Sequence, residues 1–324
     1  MAIKVLKPGL ATTVQDAGRE GYYNVGIPLS GAMDQYSFRA ANLLVGNEES
    51  AAALECTLMG PELEFRRDAV IAVTGGEMTP KLNGVAAARN EAIAVKSGSV
   101  LSFDIMRIGA RCYLAVAGGI DVPAILGSRS TYGLGAFGGF QGRKLQAGDL
   151  VPVGTPRTTA KPGRRLPENL AQPLPKELQL RVVAGLYFHR LTEESARSFF
   201  EDTWSVAPEA DRIGYRYRRG RPLKFRDHKQ PFGAGSDPSN IVDAGYPYGS
   251  IQVPGGLEPI ILHRDAVSGG GYAMVGTVIS ADMDRIAQMQ PNNKAQFVKV
   301  ELDAALAARA EHKQRVQRLR AALV

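Results

Sequence analysis

The sequence predicts a mainly β protein, built as barrels or sandwiches rather than as a βαβ sheet. Three features predict it. Short runs of apolar and β-branched residues recur at close spacing, as in residues 71–76 (IAVTGG) and 113–119 (YLAVAGG). These runs are divided by Gly, Asn and Asp, the punctuation of strands and tight turns. Helical spacing of apolar residues is confined to three segments.

The elements follow in order. Asp34 is a good N-cap for a helix over residues 35–45, where Phe38, Ala41 and Val45 share a face and Gly46 stops it. Residues 92–104 (AIAVKSGSVLSFD) read as strand, turn, strand. Residues 155–176 carry Pro156, Pro162, Pro167, Pro173 and Pro175 among Arg157, Lys161, Arg164 and Arg165. With almost no apolar periodicity, that stretch is expected to be an extended or poorly ordered linker. An alternating strand restarts at residues 178–185. Thr192 is placed to cap a helix through Phe200, with Glu193 and Glu194 suiting its positive end. In residues 212–229, Tyr215 and Tyr217 alternate with Arg216 and Arg218, so strand period turns the tyrosines to one face and the arginines to the other. Residues 219–222 (RGRP) then read as the turn of an exposed hairpin. The tail is a third helix, apolar at Leu302, Leu306, Val316, Leu319 and Leu323. The division expected is an N-terminal domain 1–155, a linker 156–176, a C-terminal domain 177–300 and a helix 301–324.

Composition narrows the class. The chain has 324 residues, 44% hydrophobic and 22% charged, with a formal charge of +7, enough for one large domain or two moderate ones. Cys56 and Cys112 sit in apolar sequence and are too few for a disulfide framework, so buried free thiols in a reducing compartment are expected. No secretory h-region or membrane-length apolar run occurs, and a cytoplasmic protein is expected. There is no P-loop, no Gly-x-Ser-x-Gly elbow, no paired histidines at zinc spacing and no Met-Lys-Met for covalent biotin. A nucleotide or carrier group is therefore expected on another chain, and no metal site is expected.

Three stretches carry candidate chemistry. In residues 13–65, Asp16 and Arg19 lie three apart among Gly18, Gly21, Gly26 and Gly31. A turn there lets Asp16 orient the guanidinium toward an anion, or lets the two pin a loop internally. Asp34 is explained by helix capping. In residues 249–272, Gly255-Gly256 and Gly269-Gly270-Gly271 bracket a short apolar strand leading to Arg264 and Asp265, with Gln252 and Tyr272 nearby. Glycine turns let backbone N–H groups approach an anion or developing oxyanion, and they also serve ordinary hairpins. In residues 212–229 the interleaved arginines and tyrosines suit single-stranded nucleic acid or, as the commoner arrangement, an inward tyrosine face and a solvated arginine face.

Four blocks together resemble the biotin-dependent carboxyltransferase family, also called allophanate hydrolase subunit 2, which includes KipA and the PxpC component of bacterial 5-oxoprolinase. They are residues 13–65 (with TVQDAGREG, SGAMD and ANLLVGN); 114–131 (LAVAGGIDVPAILGSRST) with 145–149; 210–216 (ADRIGYR); and 249–288. The resemblance implies two cyclophilin-like β-barrel domains with a few short helices and a C-terminal helix. It implies one component of an ATP-dependent enzyme that opens 5-oxo-L-proline to L-glutamate, working with a KipI/PxpB-type partner and a LamB/YcsF-type partner. ATP would lie on or be shared with a partner. The alternatives it carries are a carboxyltransferase acting on urea or a related amide, with biotin not attached to this chain, and a KipA-like regulator without turnover. Neither nucleic acid nor membrane is an expected partner. The catalytic residues implied are Asp265, Asp16 and Arg19. The substrate or anion would meet Arg212, Gln252, Gly270, Gly271 and Tyr272. Many members read Asp-x-Gln-Thr-Thr-Gly-Gly-Tyr where this chain has Val267 and Ser268 in place of the Gln-Thr pair, which leaves the exact substrate open.

Overall fold

A computed structural model describes residues 2–323; Met1 and Val324, the ends of the first and last predicted segments, lie outside them. The protein is mainly β. Its chain divides into two compact units. Among the described residues the first comprises residues 2–20, 30–174 and 314–323, the second residues 21–29 and 175–313.

The first unit has a six-stranded and a five-stranded sheet. The strand pair expected in residues 92–104 is present as Ala92–Val95 and Val100–Phe103. The two do not pair with each other: the first adds to Ala69–Glu77 in one sheet and the second to Glu62–Phe65 in the other. The turn between them thus carries the chain across the core. Alternation supplies that core, where Ile3, Val5, Leu63, Val73, Leu101, Leu114 and Val116 pack in one apolar cluster. Cys56 and Cys112 face each other across neighbouring antiparallel strands, both fully buried.

Helix α1 (Gln35–Leu44) covers the outer face of the five-stranded sheet. Asp34 caps it as expected, accepting from Ser37 N at 2.9 Å, and Gly46 follows at φ 73°. Tyr36, Phe38, Ala41 and Leu44 pack there with Ala72, Tyr113 and Ala115. Leu166 and Leu170, in the proline-rich stretch, join the same cluster. That stretch runs along this unit through Ala92 N–Arg164 O and Leu166 N–Asn90 O bonds, each 2.8 Å. The last turns of the C-terminal helix (α4, Leu302–Leu323, with α2 and α3 below) add Val316, Leu319 and Leu323.

The second unit is a closed seven-stranded barrel. Its strand Glu177–Ala184 pairs antiparallel with Met274–Val278 and parallel with Lys294–Lys299. Helix α2 (Glu193–Glu201) is capped by Thr192, and α3 is the short turn Met283–Ile286. Strand Gly214–Arg218 buries Tyr215 and Tyr217 and turns its arginines outward. Residues 219–222 are not a hairpin turn, because the strand that next pairs antiparallel with Gly214–Arg218 is Ile260–Leu262, far along the chain. Pro222 has no N–H to give a ladder, Arg221 is clamped on Asp202, and a Cβ at Gly220 would lie 2.6 Å from the Trp204 ring the chain crosses.

Candidate functional site

In the first unit, strand Ala11–Gln15 delivers Asp16 to a turn in which Gly18 has φ 111°. The buried Asp16 carboxylate accepts from Gly18 N (2.8 Å), Ser128 Oγ (2.7 Å), Ser130 Oγ (2.5 Å) and Arg129 N (2.5 Å). Arg19, also buried, donates from Nε to Ile125 O and from Nη2 to Ser130 O, both at 3.1 Å, and lies 4.8 Å from the centre of the Phe137 ring. The two side chains therefore grip one loop, residues 125–130. A carboxylate meeting four donors organises backbone; it has little capacity left to take a proton from a substrate.

The gripped loop has a second consequence that the sequence did not reveal. It sets Arg129 at the edge of a cavity of about 680 Å³ in the first unit. Asn47, Gly118, Gly119, Asp121 and Arg164 also line it. Three motif segments, ANLLVGN from the first block and AGGID and GSRST from the second, thus meet at one place. Asn47 joins them, accepting from Gly118 N and donating to Val116 O. Their occurrence in the motif blocks was the available signal, but no spacing pointed to a shared cavity. No aromatic ring lines it.

Beneath α1 lies a buried polar chain. Tyr113 Oη accepts from Asp34 N at 2.8 Å and donates to Glu55 Oε2 at 2.9 Å, and Glu55 also accepts from Met33 N. Burial, then the nearby Glu55 and Asp34 carboxylates, push the Tyr113 phenol well above its usual range.

In the second unit, Arg212 and Asp265 form a forked ion pair. Nε donates to Oδ2 at 2.8 Å and Nη2 to Oδ1 at 3.2 Å, with side chains only 17% and 9% exposed. Asp265 N also bonds Arg212 O, tying the two backbones together. The neighbouring Arg264 guanidinium lies over the Tyr248 ring at 5.0 Å.

Of the other residues named from the sequence, Gln252, Gly270 and Tyr272 gather on Tyr246, which sequence reasoning missed. Its hydroxyl donates to Tyr272 O and accepts from Tyr272 N, both at 2.8 Å. Burial raises its pKa, opposed by hydrogen bonds to the Tyr272 backbone and to Gln252. Gly269, Gly270 and Gly271 do not form a turn. They lie in strand Gly269–Tyr272, paired with Asn240–Gly245. Glycine is needed there for close approach: an added Cβ would lie 3.0 Å from the Tyr246 ring at Gly270 and 3.2 Å from Ile241 O at Gly271. Gly255 and Gly256 do make the expected turn, at φ 60° and 71°. Tyr23, from the opening block, donates to Tyr246 O at 2.9 Å and reaches Val267 O at 3.3 Å, so it braces the same segment.

Among the described residues no three His, Cys, Asp or Glu side chains gather as metal ligands, and no helix is long and apolar enough to cross a membrane.

Residues 25–299 match the family described as carboxyltransferase domain, subdomain A and B. The chain is similar to urea amidolyase of Lachancea kluyveri, 38% identical over 94% of this chain and 17% of that protein. It is similar to the 5-oxoprolinase C subunit of Escherichia coli K12, 34% identical over 98% of this chain and 97% of that one. The crystal structure of Kluyveromyces lactis urea carboxylase contains a similar fold, with TM-score 0.91 and 37% identity over 98% of this chain and 29% of that one. The chain thus spans only about a sixth of the length of the yeast urea amidolyases it matches.

Proposed function

The chain belongs to the carboxyltransferase-domain family of subdomains A and B, and on that premise we propose that it is the PxpC-type component of an ATP-dependent 5-oxoprolinase. The reaction opens 5-oxo-L-proline to L-glutamate with a KipI/PxpB-type partner and a LamB/YcsF-type partner. The observation that carries this reading is the alignment with the Escherichia coli 5-oxoprolinase component across nearly the whole of both chains. A second reading, carboxyl transfer to urea or a related amide, rests on the higher identity to the urea amidolyases and the TM-score of 0.91.

Both readings ask the same thing of the site. An unstrained amide is a poor electrophile, and activating it builds negative charge on oxygen. The Arg212–Asp265 pair offers a carboxylate to orient a substrate N–H beside a guanidinium that balances charge. Gln252, the Tyr272 segment and the backbone at Gly270 and Gly271 would complete the polar wall. Within the first unit, Asp16 and Arg19 act as positioning residues for the cavity beside Arg129, through the loop that carries it. ATP we place on a partner: the cavity beside Arg129 has no ring on which adenine would stack. Biotin, in the second reading, would also arrive on another chain. Buried free thiols suit the cytoplasm, where we place the protein.

The test is co-expression with the partner proteins and assay of the purified complex. ATP-dependent glutamate formation from 5-oxoproline supports the first reading. Urea carboxylation that needs biotin supports the second. A stable complex that turns over neither would leave a KipA-like regulator and overturn both.

A further inference from the structure

We infer that the first unit holds a separate small site for a planar carboxylate-type monoanion, of formate, acetate or bicarbonate size, received by Arg89. The inference does not depend on the function proposed above. The site is a cavity of about 130 Å³ between strand Ala69–Glu77 and the first turn of α1, lined by Tyr36, Ser37, Thr74, Glu77, Arg89 and Gln172. A water takes roughly 30 Å³ of liquid, so the space suits a four-atom oxyanion with a water or two.

The Arg89 guanidinium is the reason to expect an anion. Its Nη2 donates to Gly75 O at 2.7 Å, while its Nε is buried and meets no acceptor on the protein. Buried N–H groups on charged side chains are rarely left unpaired, and the Nε edge of a guanidinium is shaped for a carboxylate. Burial also holds the Arg89 pKa below the usual arginine value despite Glu77, a sign that its charge is undercompensated.

Neighbouring charge selects the ligand. Arg315 lies 3.9 Å from the centre of the Tyr36 ring and holds Gln172 Oε1 at 2.6 Å, so a second cation stands behind two wall residues. Glu77 shares the wall. Asp34 stands behind Ser37, accepting from its Oγ at 2.6 Å, and Arg318 also acts on Tyr36; three cations and two carboxylates leave a surplus of one positive charge, which a monoanion neutralises. Sulfate or hydrogen phosphate would bring a second negative charge against Glu77.

The test uses the whole protein and carbon-13 formate, followed by the transverse relaxation of the formate carbon. Protein should accelerate that relaxation, and acetate or bicarbonate, but not sulfate at matched ionic strength, should reverse it. Whichever of the two competes at lower concentration identifies the preferred source of the carboxylate. Arg89→Gln should weaken formate binding about tenfold or more. Glu77→Gln, which keeps Arg89, should admit sulfate as a competitor. Undiminished binding by a folded Arg89→Gln variant, no relaxation effect in the wild type, or equal competition by sulfate in the wild type would each overturn the proposal. If Arg89→Gln does not fold, the sulfate response of Glu77→Gln decides, and no gain of sulfate competition counts against the site.

Discussion

Arg212 holds Asp265 by both carboxylate oxygens, and the backbone of one residue is bonded to the backbone of the other. Because both side chains are largely out of water, deleting either leaves the other's charge exposed to a poor solvent. Arg212→Ala and Asp265→Ala are each expected to lower stability by about 3 kcal/mol. The double variant should be little worse than either single one, a coupling that a double-mutant cycle in urea unfolding will read. Asp265→Asn keeps the shape and should lower turnover of the assembled complex about 10²-fold, the usual scale for a lost charged contact at a reacting centre. Full activity in Asp265→Asn would remove this residue from the mechanism.

Asp16 makes a different prediction, because its partners are loop groups. Asp16→Ala strands the Ser128 and Ser130 hydroxyls and the Arg129 amide, and should cost about 3 kcal/mol. The damage should be local first. Hydrogen exchange at the Arg129 amide is expected to quicken well before exchange at Cys112, in the middle of a sheet. Equal acceleration at both would show that Asp16 supports the whole unit rather than this loop.

Acid sensitivity should follow Asp149. Arg143 forks onto its two oxygens at 2.8 and 2.9 Å, and Gln146 N adds a third bond at 2.7 Å; together they hold its pKa below the usual carboxylate value. The unfolded chain therefore binds this proton more readily than the folded one. The contribution is complete above the ordinary carboxylate pKa of about 4 and is lost as pH falls through the lower folded value. Asp149→Asn should be less stable at neutral pH and show a shallower decline on acidification, measured as unfolding midpoints across an acid series. An unchanged slope would contradict the assignment.

The cysteines should be silent. Cys112 is fully buried, and burial followed by its neighbour Cys56 pushes its thiol well above the ordinary range. Thiolates are the reactive form and Cys56 is equally buried from any reagent, so neither residue should react with a disulfide reagent in the native protein, and both should react in denaturant. Stoichiometric native labelling would show that the sheet opens readily at this point.

What the sequence revealed was local. The caps at Asp34 and Thr192, the stop at Gly46 and the inward face of Tyr215 and Tyr217 depend on residues within a turn or a strand of one another, and each is found as expected. What it concealed was set by distant partners. Arg129 meets Asp16 across 113 residues, and no local pattern encodes that. The glycine triplet looked like a turn because glycine serves both turns and close packing; the Tyr246 ring opposite Gly270 decides between them. Leu166 and Leu170 reach the core from a proline-rich stretch in which isolated leucines make no periodic signal. The forked pair is the reverse case: Arg212 and Asp265 each stand out in the sequence alone, and only the barrel brings them together.

The parallel pairing of Glu177–Ala184 with Lys294–Lys299 also bears on how the protein is made. The first strand of the second unit to leave a ribosome is joined by the last. Until residue 299 has emerged, the sheet between them has open edges that nothing yet synthesised can cover, and its closure waits on a contact of very long sequence separation. Synthesis of this protein therefore includes an interval of exposure to pairing with neighbouring nascent chains, and slow translation through its final third would lengthen it.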